Sequence, residues 1–275
     1  MAKIIYQRIL FVLLVCFGIN ASAAEVDTVL THSDIMKKDI KAVVILPNNY
    51  SKKVSYPVVY LLHGFSGNYA DWITKDAPVQ NLADQYHCII VCPDGAFASW
   101  YIDSPVNSYW MYDTYVSKEL VSYIDAHFST IKNRTGRAIT GLSMGGHGAL
   151  SMAIRHQEVY GAVGSMSGAV DLKPFAKDFA INQILGEYKD NPKSWADHSV
   201  VGMVDQLKPG VLKIIFDCGA DDFFIGVNNA LHEQLLKAKI AHDYTVRPGA
   251  HTWEYWSNSM NYQMLFFSRF FDKLN

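Results

Sequence analysis

Seven short apolar runs, each closed by turn residues, set the tightest limit on what this chain can fold into. They cover residues 43–46, 58–62, 88–92, 138–141, 162–166, 211–216 and 244–246. They lead into Pro47, His63-Gly64, Pro93-Asp94-Gly95, Ser143, Ser167-Gly168, Gly219 and Pro248-Gly249. A strand with one wet face alternates apolar and polar residues, whereas a strand covered on both faces reads as an unbroken run rich in Val and Ile. These runs are of the second kind. Helical patterning over 115–128, 146–156, 228–238 and 257–271 falls between or after them. Strand and helix in alternation predict an α/β doubly wound, mostly parallel sheet flanked by helices. One connection, 171–207, departs from the rhythm. Ile181, Ile184 and Leu185 at helical spacing, then Asp190-Asn191-Pro192 and Trp195, predict a small helical lid over one edge of the sheet rather than a second domain. No internal repeat or low-complexity tract interrupts the pattern.

The first 24 residues stand apart from this. Lys3 and Arg8 precede a charge-free stretch over 9–19, and Ala21-Ser22-Ala23-Ala24 then supplies the small residues of a signal-peptidase site. The apolar stretch is short of the ~20 residues a bilayer crossing needs. A cleaved export signal over 1–24, cut after Ala23 or Ala24, is expected, leaving one domain over 25–275 in the periplasm or outside the cell without stable membrane insertion. Without Lys3 and Arg8 the chain has 22 basic against 26 acidic residues, a net −4 where the full 275 residues carry −2. No basic excess is available to neutralise phosphates, which argues against nucleic acid as a partner. An aromatic share of 13% and an apolar share of 50% exclude disorder. Cys88, Cys92 and Cys218 make no disulfide framework; the first two, four apart on one strand, would lie about 13 Å from each other, beyond bridging reach. No metal-ligand spacing occurs, so neither metal nor other cofactor is expected.

Gly141-Leu142-Ser143-Met144-Gly145 is a Gly-x-Ser-x-Gly motif that follows the run 138–141 and opens the helical stretch beginning at Gly146. A nucleophile elbow needs this context, because the serine takes a strained backbone at a sharp strand-to-helix turn and the glycines leave it room. Ser143 is therefore the candidate nucleophile. A serine hydroxyl needs a base within hydrogen-bond reach and a carboxylate to orient that base. In open α/β sheets such residues collect at the carboxyl ends of strands. His251 follows the run 244–246 and lies at that edge, whereas His242 precedes it and lies at the other. For the acid, Asp217, Asp221 and Asp222 all follow the run 211–216. Asp217 is still on the strand, and spacing alone does not choose between Asp221 and Asp222. Two backbone N–H groups must receive the oxyanion. Met144, just after the nucleophile, and Phe65, in the loop His63-Gly64-Phe65-Ser66-Gly67, are the candidates; His63 itself reads as a structural hydrogen-bonder.

Four segments carry a resemblance. Tyr56-Pro57-Val58-Val59-Tyr60-Leu61-Leu62-His63-Gly64, Gly141-Leu142-Ser143-Met144-Gly145-Gly146-His147-Gly148, Gly219-Ala220-Asp221-Asp222 and Pro248-Gly249-Ala250-His251-Thr252-Trp253 together resemble the esterase D superfamily of α/β-hydrolases. That group includes the feruloyl and acetylxylan esterases of carbohydrate esterase family 1, tributyrin-type esterases, S-formylglutathione hydrolases and mycolyltransferases. The likeness implies the α/β-hydrolase fold and a serine carboxylesterase, and its Gly-x-x-Asp pattern puts the acid on Asp222. Export favours esters met outside the cytoplasm, such as acetyl or feruloyl groups on plant polysaccharide, over a cytosolic glutathione thioester. An acyltransferase of the same superfamily is the alternative, and a noncatalytic carbohydrate-binding protein is disfavoured by the intact Ser143, Asp222 and His251 set. On the substrate side, Trp100 and Tyr101 follow another strand's carboxyl end and could stack on a sugar or phenolic group. His147, one turn past Ser143, and Trp195, in the lid, are further candidates. Trp253 and Trp256 read as wedges behind His251.

Overall fold

The computed structural model describes residues 24–75 and 77–272; the segment on which the export signal is expected lies, but for Ala24, outside the described residues. Eight strands form one sheet: β1 Glu25–Ser33, β2 Lys38–Leu46, β3 Val58–Leu62, β4 Ile89–Pro93, β5 Arg137–Gly141, β6 Ala162–Met166, β7 Lys213–Gly219 and β8 Asp243–Arg247, in the order β1-β2-β4-β3-β5-β6-β7-β8. β4 to β8 and β3 run parallel, while β2 is antiparallel to both β1 and β4. The helices are α1 Asp71–Thr74, α2 Val79–Tyr86, α3 Tyr112–Thr114, α4 Val121–His127, α5 Met144–Arg155, α6 Ile181–Leu185, α7 Pro192–His198, α8 Ile225–Lys237 and α9 Trp253–Phe271. A π-helical stretch, Tyr115–Leu120, joins α3 to α4. This is the mostly parallel, helix-flanked α/β sheet that the apolar runs predict.

The unbroken runs are explained by what covers them. Val58, Tyr60 and Leu62 of β3 face one core, shared with Ile124 of α4, Leu150 of α5 and Leu231 of α8. Val59 and Leu61 face the other, with Leu82 of α2 and Met260, Met264 and Phe267 of α9. Each β3 residue thus leaves water whichever way it points, and neither face tolerates a polar alternation. The run 244–246, expected to be covered on both faces, is instead in the edge strand β8, whose residues are all exposed or half-buried because only β7 flanks it. α9 shows the complementary pattern: Tyr255, Trp256, Ser259, Met260, Gln263, Met264 and Phe267 are buried at helical spacing on one stripe. Thr252 starts it, its hydroxyl accepting from the Tyr255 N–H at 3.4 Å.

β1 and the short helices α1, α2 and α3 lie outside the expected pattern. β1 pairs with β2 along its whole length, Glu25 opposite Leu46 and Ser33 opposite Lys38, as an edge strand whose outer residues are solvated. Its composition therefore shows no apolar run. α2 is only eight residues long. The connection between β6 and β7 carries α6, α7 and the 3₁₀ stretch Val200–Gln206. Ile181, Ile184, Leu185, Trp195 and Met203 are buried in the same core as α5 and α8.

Candidate active site

Ser143 stands between β5 and α5 at φ +53° and ψ −117°. That conformation is uncommon for a non-glycine residue and persists only where the surroundings enforce it. Here the Leu142 N–H donates to the Leu62 carbonyl at 3.3 Å and the Ser143 N–H to the Met166 carbonyl at 2.9 Å, pinning the turn to β3 and β6. Gly145 makes the turn possible: a Cβ there would stand 2.5 Å from both the Leu62 and His63 carbonyl oxygens. Ser143 as a whole is 8% exposed at the carboxyl edge of the sheet.

His251 and Asp222 reach Ser143 from the loops after β8 and β7. His251 Nε2 lies 2.9 Å from Ser143 Oγ, and His251 Nδ1 lies 2.8 Å from Asp222 Oδ2. A carboxylate only accepts, so Nδ1 carries the proton toward Asp222 and Nε2 offers its lone pair to the serine O–H. Asp222 is 2% exposed, and its second oxygen accepts the Phe224 N–H at 2.8 Å. Asp221 points to solvent instead, its backbone N–H joined to the Gly249 carbonyl at 2.9 Å, which ties the acid loop to the histidine loop. Asp217 is turned to the other face of the sheet. It meets Arg247 at 3.4 Å and accepts from Ser259 and Gln263 of α9 at 2.5 and 2.9 Å. Burial is the main influence on its carboxyl and pushes its pKa up, partly opposed by Arg247.

The Phe65 and Met144 N–H groups have no hydrogen-bond acceptor among the described residues. Met144 is the first residue of α5, where N–H groups lack intrahelical partners and the helix dipole favours negative charge. Around Phe65 the neighbouring amides are occupied: Ser66 N–H donates to the Phe97 carbonyl at 2.7 Å and Gly67 N–H to the Gly64 carbonyl at 3.1 Å. His63 fixes the loop. Its Nδ1 donates to the Gly64 carbonyl at 2.8 Å and its Nε2 accepts the Gly95 N–H at 2.8 Å, a neutral tautomer that burial favours by lowering its pKa. Gly64 lies so close to the elbow that a Cβ there would reach Leu142 Cδ1 at 2.5 Å and Ser143 Cβ at 3.5 Å.

The esterase family model matches residues 33–267. The chain belongs to the esterase family. An acetyl esterase of Caldicellulosiruptor saccharolyticus is 27% identical over 252 residues, which cover 82% of this chain and 91% of that protein. A Mycobacterium tuberculosis esterase is 37% identical over 145 residues, 50% of this chain and 30% of that protein. Among solved structures, a ferulic acid esterase with 28% identity superposes at a TM-score of 0.78, over 91% of this chain and all 100% of that one. The likeness foreseen from the four motif segments is thus a family membership, and the chain is a carboxylesterase of the α/β-hydrolase fold.

The esterase's cleft above Ser143 has a volume of ≈ 530 Å³. Phe65, Phe179 and Phe223 of its lining pack on one another as an aromatic wall; Asn68, Asp71 and Lys75 are the polar residues of the lining, and Trp253 and Trp256 belong to it near His251. Trp256 packs edge-on against the His251 ring at a centroid distance of 4.8 Å, and Trp253 against Trp72 at 5.1 Å. None of the four residues expected to touch substrate is part of this lining. Trp100 is 1% exposed, its indole N–H donating to the Phe179 carbonyl at 3.0 Å. Tyr101 is fully buried and donates its hydroxyl to the His63 carbonyl at 3.3 Å. Both have φ +55° in the loop after β4, and both side chains lie in the core. His147 is buried, with Nε2 donating to the His198 carbonyl at 2.8 Å, and burial lowers its pKa to about 4. Trp195 is buried with its indole N–H on the Gly186 carbonyl at 2.9 Å. These four brace the loops behind the site. Phe223 and Phe179 were not among the residues expected from sequence; the position next to Asp222 is a signal that could have found Phe223, whereas Phe179, in an irregular stretch, carries none.

Proposed function

We propose that this esterase hydrolyses carboxylic esters through an acyl-enzyme on Ser143, acting after export on acetyl or feruloyl esters such as those that decorate plant polysaccharide. The reading rests on one observation above all: the unbroken hydrogen-bonded line from Ser143 Oγ through the His251 ring to Asp222, 2.9 and 2.8 Å long. His251 takes the serine proton through Nε2 as Oγ bonds the carbonyl carbon. The carbonyl oxygen becomes an oxyanion and accepts from the Phe65 and Met144 N–H groups, two backbone donors held in place by the fold. Imidazolium then forms beside the buried carboxylate of Asp222, which stabilises the charge and holds the tautomer. His251 returns the proton to the leaving alcohol as the C–O bond breaks. A water, deprotonated by the same Nε2, attacks the acyl-enzyme, and the acid departs with Ser143 restored. Each step is served by side chains and backbone donors of the chain itself.

Acetyl and feruloyl groups are named because one relative is described as an acetyl esterase and one structural neighbour as a ferulic acid esterase. The test is a panel on the full chain: p-nitrophenyl acetate, methyl ferulate and acetylated xylan, with product acid measured. Turnover of at least one, lost in Ser143→Ala, is the expected result. Acyl transfer to a sugar hydroxyl without free acid would replace hydrolysis by transfer, and no turnover by the unaltered chain would overturn the reading.

A further inference from the structure

Phe179 occupies a place in the cleft that the catalytic line does not explain. Its ring packs on Phe65 at 5.6 Å and lies stacked with Phe223 at 6.2 Å between centroids, while Phe223 in turn covers His251 at 4.3 Å. Phe179 is therefore the link that joins the residue donating a candidate oxyanion N–H to the residue over the base. It also has the backbone of a residue under constraint. Phe179 and Ala180 are both at φ +54°, a left-handed conformation that a bulky residue keeps only where its surroundings over-determine it. Those surroundings are identifiable. Trp100, itself at φ +55°, donates its indole N–H to the Phe179 carbonyl at 3.0 Å. Phe175 and Phe224 pack on the ring from behind at 6.3 and 6.1 Å.

We propose that Phe179 is the specificity-determining residue for the acyl half of the ester, a side-chain stop on the aromatic wall that limits acyl length, and that Trp100 is the positioning residue holding it there. The aromatic wall suits an acyl chain because its side chains offer no hydrogen-bond partner, whereas Asn68, Asp71 and Lys75 of the same lining suit a hydroxylated alcohol. With Phe179 in place the wall is closed by its ring, and of the two acyl groups proposed above the esterase favours acetyl over the longer feruloyl. The inference rests on the acyl-enzyme reading and adds to it which substrates pass.

The experiment measures kcat/KM for two ester series on the full chain, Phe179→Ala, Phe179→Leu and Trp100→Phe. The first series holds the p-nitrophenyl alcohol constant and varies the acyl group from acetyl through butyryl to octanoyl. The second holds acetyl constant and varies the alcohol. Phe179→Ala is expected to raise the octanoyl-to-acetyl ratio about tenfold, the scale on which one or two methylenes discriminate in an apolar pocket. Phe179→Leu is expected to raise it less. Trp100→Phe keeps an aromatic ring but loses the N–H to the Phe179 carbonyl, and is expected to shift the same ratio in the same direction. The alcohol series should stay within twofold throughout. An unchanged acyl ratio in Phe179→Ala, or an equal shift in the alcohol series, would overturn the assignment. Labelling of Ser143 by alkyl fluorophosphonates of increasing chain length gives the same ratio without turnover. It keeps the two proposals apart: absence of both turnover and labelling in the unaltered chain counts against the acyl-enzyme, while labelling with an unmoved chain-length ratio counts against Phe179 alone.

Discussion

Ser143 holds a backbone conformation that costs a non-glycine residue about 1–3 kcal/mol, and two hydrogen bonds to neighbouring strands keep it there. The hydroxyl thereby meets His251 without any motion of the loop. Removing it tests the chemistry most simply, since Ser143→Ala keeps the turn; kcat is expected to fall at least about ten-thousandfold with little change in melting temperature. The neighbouring aspartates separate role from position. Asp222→Asn replaces the acceptor for His251 Nδ1–H by a group that permits the wrong tautomer, and a loss of about ten-thousandfold in kcat is expected. Asp221→Asn alters an exposed carboxylate one residue away and should leave kcat within twofold. Gly145→Ala acts on the backbone itself: its Cβ meets two carbonyl oxygens at 2.5 Å, and neither belongs to a flexible side chain. Lost activity together with a lowered melting temperature is expected, measured by thermal unfolding alongside turnover. Ser143, His251 and the glycines were readable from sequence because an elbow and a strand-end loop admit few residue types. Asp221 and Asp222 were not separable by spacing, because the bend at Ala220 that hides one and exposes the other leaves no mark in residue type.

At the scale of elements, the strand runs were plain where both faces are covered. β3 and β6 coincide with residues 58–62 and 162–166 because every position in them is buried. β1 was missed for the same physical reason in reverse, since an edge strand with solvated residues needs no apolar run. Direction of side chains was the harder matter. Trp100 and Tyr101 follow the carboxyl end of β4, but both take φ +55° and are packed in the core, and neither the angles nor the burial can be read from residue type. α9 is held to the sheet by more than its apolar stripe. Asp217 on β7 joins Ser259 and Gln263 of α9 and Arg247 of β8, and Gln263 also accepts from Thr140 of β5. Asp217→Ala leaves Arg247 and Gln263 without this partner in a site where the acid is 1% and the arginine 16% exposed. A loss of about 3–5 kcal/mol in urea unfolding is expected, without a change in the substrate preference of the remaining folded enzyme.

The whole molecule sets the candidate site at one edge of a sheet between two cores, and two histidines, His147 buried and His156 half-buried, give its stability opposite pH dependences. His156, at the end of α5, meets Asp113 of α3 at 2.6 Å. Burial is the largest influence and opposes its charge, but the hydrogen bond and charge of Asp113 outweigh it and leave the pKa raised. That contribution is complete below the unfolded value near 6.5 and fades as pH rises through the folded one. His147 is the reverse: burial lowers its pKa to about 4, so the unfolded chain takes up the proton first and stability drains away as pH falls from 6.5 toward 4. Urea unfolding across pH should therefore show the advantage of the unaltered chain over His156→Gln shrinking above pH 6.5, and an acid limb less steep in His147→Gln. An advantage over His156→Gln that is constant with pH would contradict the ion pair. The central claim, that this esterase works through an acyl-enzyme on Ser143, is met most directly by intact and peptide mass spectrometry of the full chain. The protein is treated with a fluorophosphonate and, separately, quenched during turnover of p-nitrophenyl acetate. A phosphonyl adduct and a transient acetyl group are expected on the peptide carrying Ser143, and neither in Ser143→Ala. Ester turnover that persists in Ser143→Ala, or an adduct on any other residue, would contradict it.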